Sequence, residues 1–215
     1  MKKMIKKEIY PKTQRVICEG AKIQITEKLD GSNLVIFKTE DEILHIAQRN
    51  NIFDFNELKD NKDKLYKGLY QWLIDHKLEL QQELYKGSAL CGEWLGMGKL
   101  KYDVGEFDKR FYMFAKARIT DEFDLTNIIY DHDLFIYPFN SQRIPSFIGV
   151  VPVVTEINNI PNKKQLDSLY EKYTEKVNRN VEGFVVNYNN NITKYVRMKN
   201  GKLQEHFDRD NKTNL

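Results

Sequence analysis

The sequence predicts an α+β fold built mainly from antiparallel strands. Short apolar runs with period-two alternation recur along the chain, separated by stretches rich in Gly, Asn and Asp. Two longer stretches, 56–86 and 162–177, instead carry apolar residues at helical spacing. Strands outnumber helices, so the frame is strand-heavy.

The elements follow in order. Residues 22–28 alternate through Ile23 and Ile25 and read as a strand ending at Lys28. Asp30-Gly31-Ser32 reads as a turn. Residues 33–38 and 43–48 read as the next two strands. Strand, D-G turn, strand predicts an antiparallel hairpin. In 56–86, Leu65, Leu69, Trp72, Leu73 and Leu80 lie among Lys, Glu, Asp and Gln. That is an amphipathic helix covering a sheet, with a break at Gly68. Further strands are expected at 89–95, 110–117 and 148–154. Pro161 opens a second helix over 162–177, with Leu166, Leu169 and Tyr173 on one face. The last strands are 181–188 and 192–198, and a polar tail begins at Gly201. Segment 120–147 carries no readable chemistry.

Composition bounds the function. A chain of 215 residues suffices for one large domain or two small ones, and 41% hydrophobic residues support a sizeable core. With 34 basic and 31 acidic residues the net charge is only +3, which excludes a histone-like protein. A local basic groove remains compatible with that total. Lys2, Lys3, Lys6, Lys7 and Lys12 read as a solvated, frayed end. No run approaches the roughly 18 apolar residues of a membrane span. The N-terminus also lacks the apolar stretch of a signal peptide. Cys18 and Cys91 form no C-x-x-C pair, and His45, His76, His132 and His206 show no zinc spacing. Two thiols in a lysine-rich chain suggest a reducing compartment, so a cytoplasmic location is expected.

Chemistry concentrates in a few short stretches. Lys28 precedes the D-G turn in the pattern K-x-D-G, with Glu27 before it and Asn33 five residues after it. A free lysine, with a pKa near 10.4, is nearly all protonated at pH 7 and is no nucleophile. Burial or neighbouring cations can free its lone pair, and a tight turn can hold it rigidly. A lysine beside a surface turn is the plainer reading of the octapeptide alone. Glu93 lies in an apolar strand flanked by glycines, where a carboxylate needs a partner; a sugar hydroxyl suits it. Glu182 precedes Gly183 at a hydrophobic strand, where a bound group could approach the backbone. Strand alternation would put Arg197 and Lys199 on one face, two cations suited to a phosphate in transit.

The order of these stretches resembles the covalent nucleotidyltransferase superfamily of polynucleotide ligases and mRNA capping enzymes. The pattern runs through Lys28-x-Asp30-Gly31, Gly92-Glu93, Phe111 to Phe114, Glu182-Gly183 and Arg197-x-Lys199. Asn33 after the D-G, and Arg49 about 20 residues beyond the lysine, are most similar to the phage-type nick-sealing and editing RNA ligases. The resemblance implies an ATP-grasp-like ligase adenylation domain, with antiparallel sheets flanking a nucleotide cleft. It implies that Lys28 attacks the α-phosphate of ATP, forms a lysyl-AMP, and passes AMP to an RNA 5′-phosphate. A 3′-hydroxyl then closes the phosphodiester. Lys28, Glu182, Arg197 and Lys199 would be catalytic, with Glu182 acting through hydrated Mg²⁺ or Mn²⁺. Glu27, Asp30, Gly31, Asn33, Arg49, Glu93 and Phe114 would bind the nucleotide: Glu93 at the ribose, Phe114 stacked on adenine, opposite in orientation to Phe111.

Two departures stand out: Arg197 where these ligases usually have lysine, and Ala115, then Lys116, where an aspartate often follows the aromatic. The chain reads as a single adenylyltransferase domain, 1–215, without a separate C-terminal OB-fold or helical domain. RNA strand ends, nicked duplex among them, are the expected partners, with no membrane. The chain would be a monomer unless a protein partner supplies the missing domain. The rival readings are a DNA ligase, a GTP-dependent capping-type enzyme, and a catalytically silent nucleic-acid binding module on the same fold.

Overall fold

A computed structural model describes residues 23–39, 41–49, 51–60, 63–96, 102–103, 105–119, 129–131, 144–188, 191–199 and 202–203. At 129–131, 188, 191, 198–199 and 202–203 only the backbone is considered. The N-terminal lysines, Cys18, His132, His206 and most of segment 120–147 lie outside the described residues. The elements are β1 (Ile23–Lys28), β2 (Ser32–Lys38), β3 (Leu44–Gln48), β4 (Asn51–Asp54), α1 (Leu69–Glu83), β5 (Ser88–Trp94), β6 (Phe111–Arg118), β7 (Ile129–Asp131), β8 (Ile148–Val150), β9 (Val153–Ile157), α2 (Lys163–Val177), β10 (Gly183–Tyr188), β11 (Asn191–Val196), β12 (Met198–Lys199) and β13 (Lys202–Leu203). The α+β class holds. No helix among the described residues is long and apolar enough to cross a membrane.

The chain forms two compact units. The first takes Gly31–Gly98 and Asp103–Val150, and the second takes Lys12–Asp30, Lys99–Tyr102 and Val151–Leu215.

The first unit is a seven-stranded sheet in the order β4-β3-β2-β5-β6-β7, with β8 parallel to β6. Alternation splits its apolar residues between two faces. Leu34, Ile36, Ile46, Leu90, Phe111 and Met113 pack with Leu69, Leu73 and Leu80 of α1. Each fully buried leucine stabilises the packing by about 1.5–3 kcal/mol. The other face carries Val35, Phe37, Ala47, Ala89, Cys91, Ala115 and Ala117. The break expected at Gly68 is present: its φ of 84° makes it the N-cap of α1, and two short 3-10 turns, Glu57–Asp60 and Lys64–Tyr66, precede it.

The second unit is an antiparallel sheet in the order β11-β10-β1-β9. Leu166, Tyr170 and Tyr173 of α2 pack on Ile23, Ile25, Phe184, Val186 and Tyr195. Asn162 and Gln165 form a reciprocal capping box at the start of α2, and Asn178 ends it in the left-handed conformation at φ 52°.

Two sequence expectations are corrected. β1 and β2 do not form a hairpin: β1 pairs with β9 and β10, and β2 pairs with β3 and β5. Both edges of β1 are taken by strands more than a hundred residues away, β2 pairs instead with the next strand, β3, and with β5, and the chain leaves one unit for the other between Asp30 and Gly31. The strand expected over 148–154 is two strands, β8 and β9, separated at Val151 and Pro152. Proline has no N–H for a ladder, but its carbonyl accepts from the Glu27 N–H at 2.9 Å.

Candidate active site

In the second unit, Lys28 ends β1 on the face opposite the α2-facing residues Ile23, Ile25 and Glu27. Its Nζ donates to Glu182 Oε2 at 2.6 Å. The Lys28 side chain is 19% exposed and that of Glu182 is 0% exposed. A buried carboxylate beside a partly open lysine is a held charge pair with one accessible end. Gly183 lies opposite Lys28 in the ladder. A Cβ there would sit 2.1 Å from the carbonyl oxygen of Tyr195, so the close strand approach admits only glycine. The Asp30 N–H donates to the Tyr102 hydroxyl at 2.6 Å. Burial, with smaller effects from Glu27, Asp30 and Glu182, pushes the Tyr102 phenol above its usual range, keeping it neutral.

Glu27 does not fit the nucleotide-binding role expected of it. Its carboxylate lies on the α2 side, where Arg179 donates to both oxygens and Tyr173 donates to one. Neighbours in a strand leave on opposite faces, so the Glu27 carboxylate points away from the Lys28 side chain. Arg197 also departs from expectation. It follows β11, in which Tyr195 belongs to the α2-facing core. Alternation turns Arg197 the same way; its guanidinium pairs with Glu171 at 2.9 Å and lies 5.3 Å from the Tyr170 ring. The Lys199 backbone pairs with Lys202 in the β12–β13 ladder. Its side chain lies outside the described structure.

In the first unit, Asn33 of β2 and Glu93 of β5 are direct cross-strand partners. Both lie on the face that carries Val35, Ala47 and Cys91. Asn33 Oδ1 is buried without a hydrogen-bond partner among the described residues. A Cβ on Gly31 would meet Glu93 Cβ and the Trp94 carbonyl at 3.0 Å, which explains a glycine there. The β5–β6 register shifts at Cys91 and Gly92, so Phe114 is the extra residue of a bulge. The bulge sits beside small side chains, and half-buried Phe114 faces away from the core that holds Phe111. Arg49 is exposed in the turn between β3 and β4.

The structure thus brings together Lys28 with Glu182, and Asn33 with Glu93 and Gly31. Sequence reasoning missed Tyr66, Tyr102, Tyr170 and Arg179. Tyr66 donates to the Asn33 carbonyl at 2.7 Å, and burial pushes its phenol up as well. Aromatic types inside polar stretches were the only available signal, and it is a weak one.

The sequence matches the RNA ligase family over residues 21–199. No curated protein matches it. The fold is similar to solved structures of Naegleria gruberi RNA ligase. A variant with AMP and Mn has TM-score 0.54 and 17% identity, with 87% of this chain and 55% of that one covered. A nucleotide-free variant has TM-score 0.51 and 18% identity, with the same coverage. A variant with ATP and Mn has TM-score 0.51 and 18% identity, with 83% and 50% covered. This chain therefore spans about half the length of those proteins. With the family match covering most of its length, the chain belongs to the RNA ligase family.

Proposed function

We propose that this chain is an ATP-dependent RNA ligase that works through a lysyl-AMP on Lys28. The observation that carries the reading is the Lys28–Glu182 pair at 2.6 Å, buried at the carboxylate and open at the lysine. The Lys28 amine attacks the α-phosphorus of ATP, a P–N bond forms, and the bond to pyrophosphate breaks. The ammonium must first lose a proton, and Glu182 Oε2 is the acceptor in contact with it. AMP then passes to an RNA 5′-phosphate, and a 3′-hydroxyl displaces it. Asn33, with its buried unpartnered acceptor, and Glu93 beside it suit the hydroxyls and amine of a nucleoside. Phe114 stacks on the base, while Asp30 and Gly31 set the turn after the nucleophile. Arg49 and Lys199 supply positive charge to phosphates, while Arg197 stays with Glu171 on the α2 side.

The solved relatives described with ATP and Mn, or AMP and Mn, support ATP and a divalent cation as cofactors. Among the described residues no three His, Cys, Asp or Glu side chains converge on one point. That fits a cation held chiefly by water and nucleotide phosphates, with Glu182 as the nearby carboxylate, rather than by a protein cage. Such a cation supplies charge neutralisation at the triphosphate. We place the activity in one adenylyltransferase module, acting on RNA ends in the cytoplasm, alone or with a partner.

The test is incubation with α-labelled ATP and Mg²⁺, then a denaturing gel, with labelled GTP in parallel. Label stays on the denatured wild-type chain with ATP and is lost in Lys28→Ala; because that substitution takes the partner from the buried Glu182 carboxylate, a thermal melt first sets a temperature at which the variant is folded. Full labelling of that variant removes Lys28 from the reaction, and label from GTP moves the chain to capping chemistry.

A further inference from the structure

The reactive pair is braced by α2 through contacts more directional than packing requires. Glu27, adjacent to Lys28, has a fully buried side chain. Arg179 Nη1 donates to its Oε1 at 2.6 Å and Arg179 Nη2 to its Oε2 at 2.7 Å. The Tyr173 hydroxyl donates to Oε2 at 2.8 Å. One turn earlier on the same helix, the Tyr170 hydroxyl donates to the Val181 carbonyl at 2.6 Å. Tyr170 and Tyr173 therefore hold the residue just before each member of the Lys28–Glu182 pair. Arg179 reaches Glu27 because Asn178, at φ 52°, ends α2 and turns the chain. Its guanidinium also lies 5.7 Å from the ring of Tyr102, the residue that receives the Asp30 N–H.

We propose that Arg179 is a positioning residue for Lys28, acting through Glu27. The bidentate fork fixes the rotation and height of the last residues of β1, and with them the point from which the Lys28 side chain leaves the sheet. Stability alone does not ask for this arrangement, since an apolar pair of similar volume in a buried site is often as stable or more so. A fork to a carboxylate adds angular definition that an apolar contact lacks.

The inference rests on the lysyl-AMP reading, and its test separates the two. Full-length wild type, Arg179→Lys and Arg179→Met are compared in single-turnover transfer of label from α-labelled ATP. Two quantities are read: the rate at saturating ATP, and the ATP concentration giving half that rate. Thermal melts set a temperature at which each variant is folded. Lysine keeps the charge but cannot fork, and a nucleophile misplaced by about 1 Å loses on the order of 100-fold in rate. The expected result is that loss in Arg179→Lys at saturating ATP, with half-saturation unchanged. If Arg179→Met does not fold, Arg179→Lys decides alone. Wild-type labelling by Arg179→Lys overturns the inference, as does a loss confined to half-saturation or shared equally by both quantities. A wild-type chain that takes no label from ATP fails the underlying reading first, before any variant is compared.

Discussion

At the scale of single residues, the glycines beside the carboxylates are the sharpest sequence signals and the most exposed to test. Gly183 follows Glu182 and lies opposite Lys28 in the ladder, and a Cβ there would lie 2.1 Å from the Tyr195 carbonyl oxygen. The atom it would strike is backbone, so the strands must part. Gly183→Ala should therefore lower unfolding free energy by about 1–3 kcal/mol, the usual range for overpacking. On the proposed lysyl-AMP chemistry it should also slow adenylate labelling, because the shift falls beside the Lys28–Glu182 pair. Urea denaturation with the labelling gel measures both, and an unchanged midpoint would refute the steric account. Cys91 makes a second test. It is wholly buried, and burial alone pushes its thiol well above the ordinary range. A thiol that stays protonated and covered is inert. Iodoacetamide at neutral pH should leave Cys91 unmodified in the native chain and alkylate it in denaturant, as read by peptide mass spectrometry. Native-state alkylation would mean that the β2–β5–β6 face opens readily. The carboxylates Glu93 and Glu182 were legible because glycines flank them in apolar strands. Tyr173 and Arg179 gave no such signal for their part beside Lys28, because their partner Glu27 lies about 150 residues earlier and the contact exists only after folding.

At the scale of elements, helices were read more truly than strand pairings. The start of α2 is written locally: Asn162 accepts from the Gln165 N–H, and the Gln165 side chain accepts from the Asn162 N–H. Gly68 likewise announces the start of α1 by a backbone angle few other residues adopt. Strand pairing has no such local code. The D-G sequence suggested a hairpin, yet β1 found partners more than a hundred residues away because both its edges could be satisfied there. The single strand expected over 148–154 breaks at Val151 and Pro152, where a proline leaves the ladder without a donor. The capping box carries a prediction. Asn162→Ala should destabilise the chain by about 1 kcal/mol, the typical worth of an N-cap side chain. Asn162→Asp should retain most of the stability lost in Asn162→Ala, since Asp caps nearly as well. Chemical denaturation of the three proteins decides it. Equal midpoints for Asn and Ala would show that packing on Phe184 and Tyr195 alone holds α2.

At the scale of the whole molecule, the sequence showed the α+β class and the order of the ligase-like motifs, but not that the chain divides into two units with cores of their own. Composition and length allowed one large domain or two small ones, and the turn at Asp30–Gly31 and the proline after Val151 do not by themselves say that the chain changes units there. The division is a property of the contacts. Leu69, Leu73 and Leu80 fill the core of the first unit, while Leu166, Tyr170 and Tyr173 fill that of the second. Separate cores allow separate opening. A unit that loses part of its own core or a cap should open more often, and the other should be protected as before. Native-state hydrogen exchange on wild type and Asn162→Ala tests this directly. The loss of protection in the variant should fall on α2 and on β1, β9, β10 and β11. Amides of β2, β3, β5 and β6 should exchange at wild-type rates. A loss spread evenly over both sheets would mean that the two cores unfold as one cooperative body, and that the cap of α2 stabilises the first sheet as well as the strand that carries Lys28.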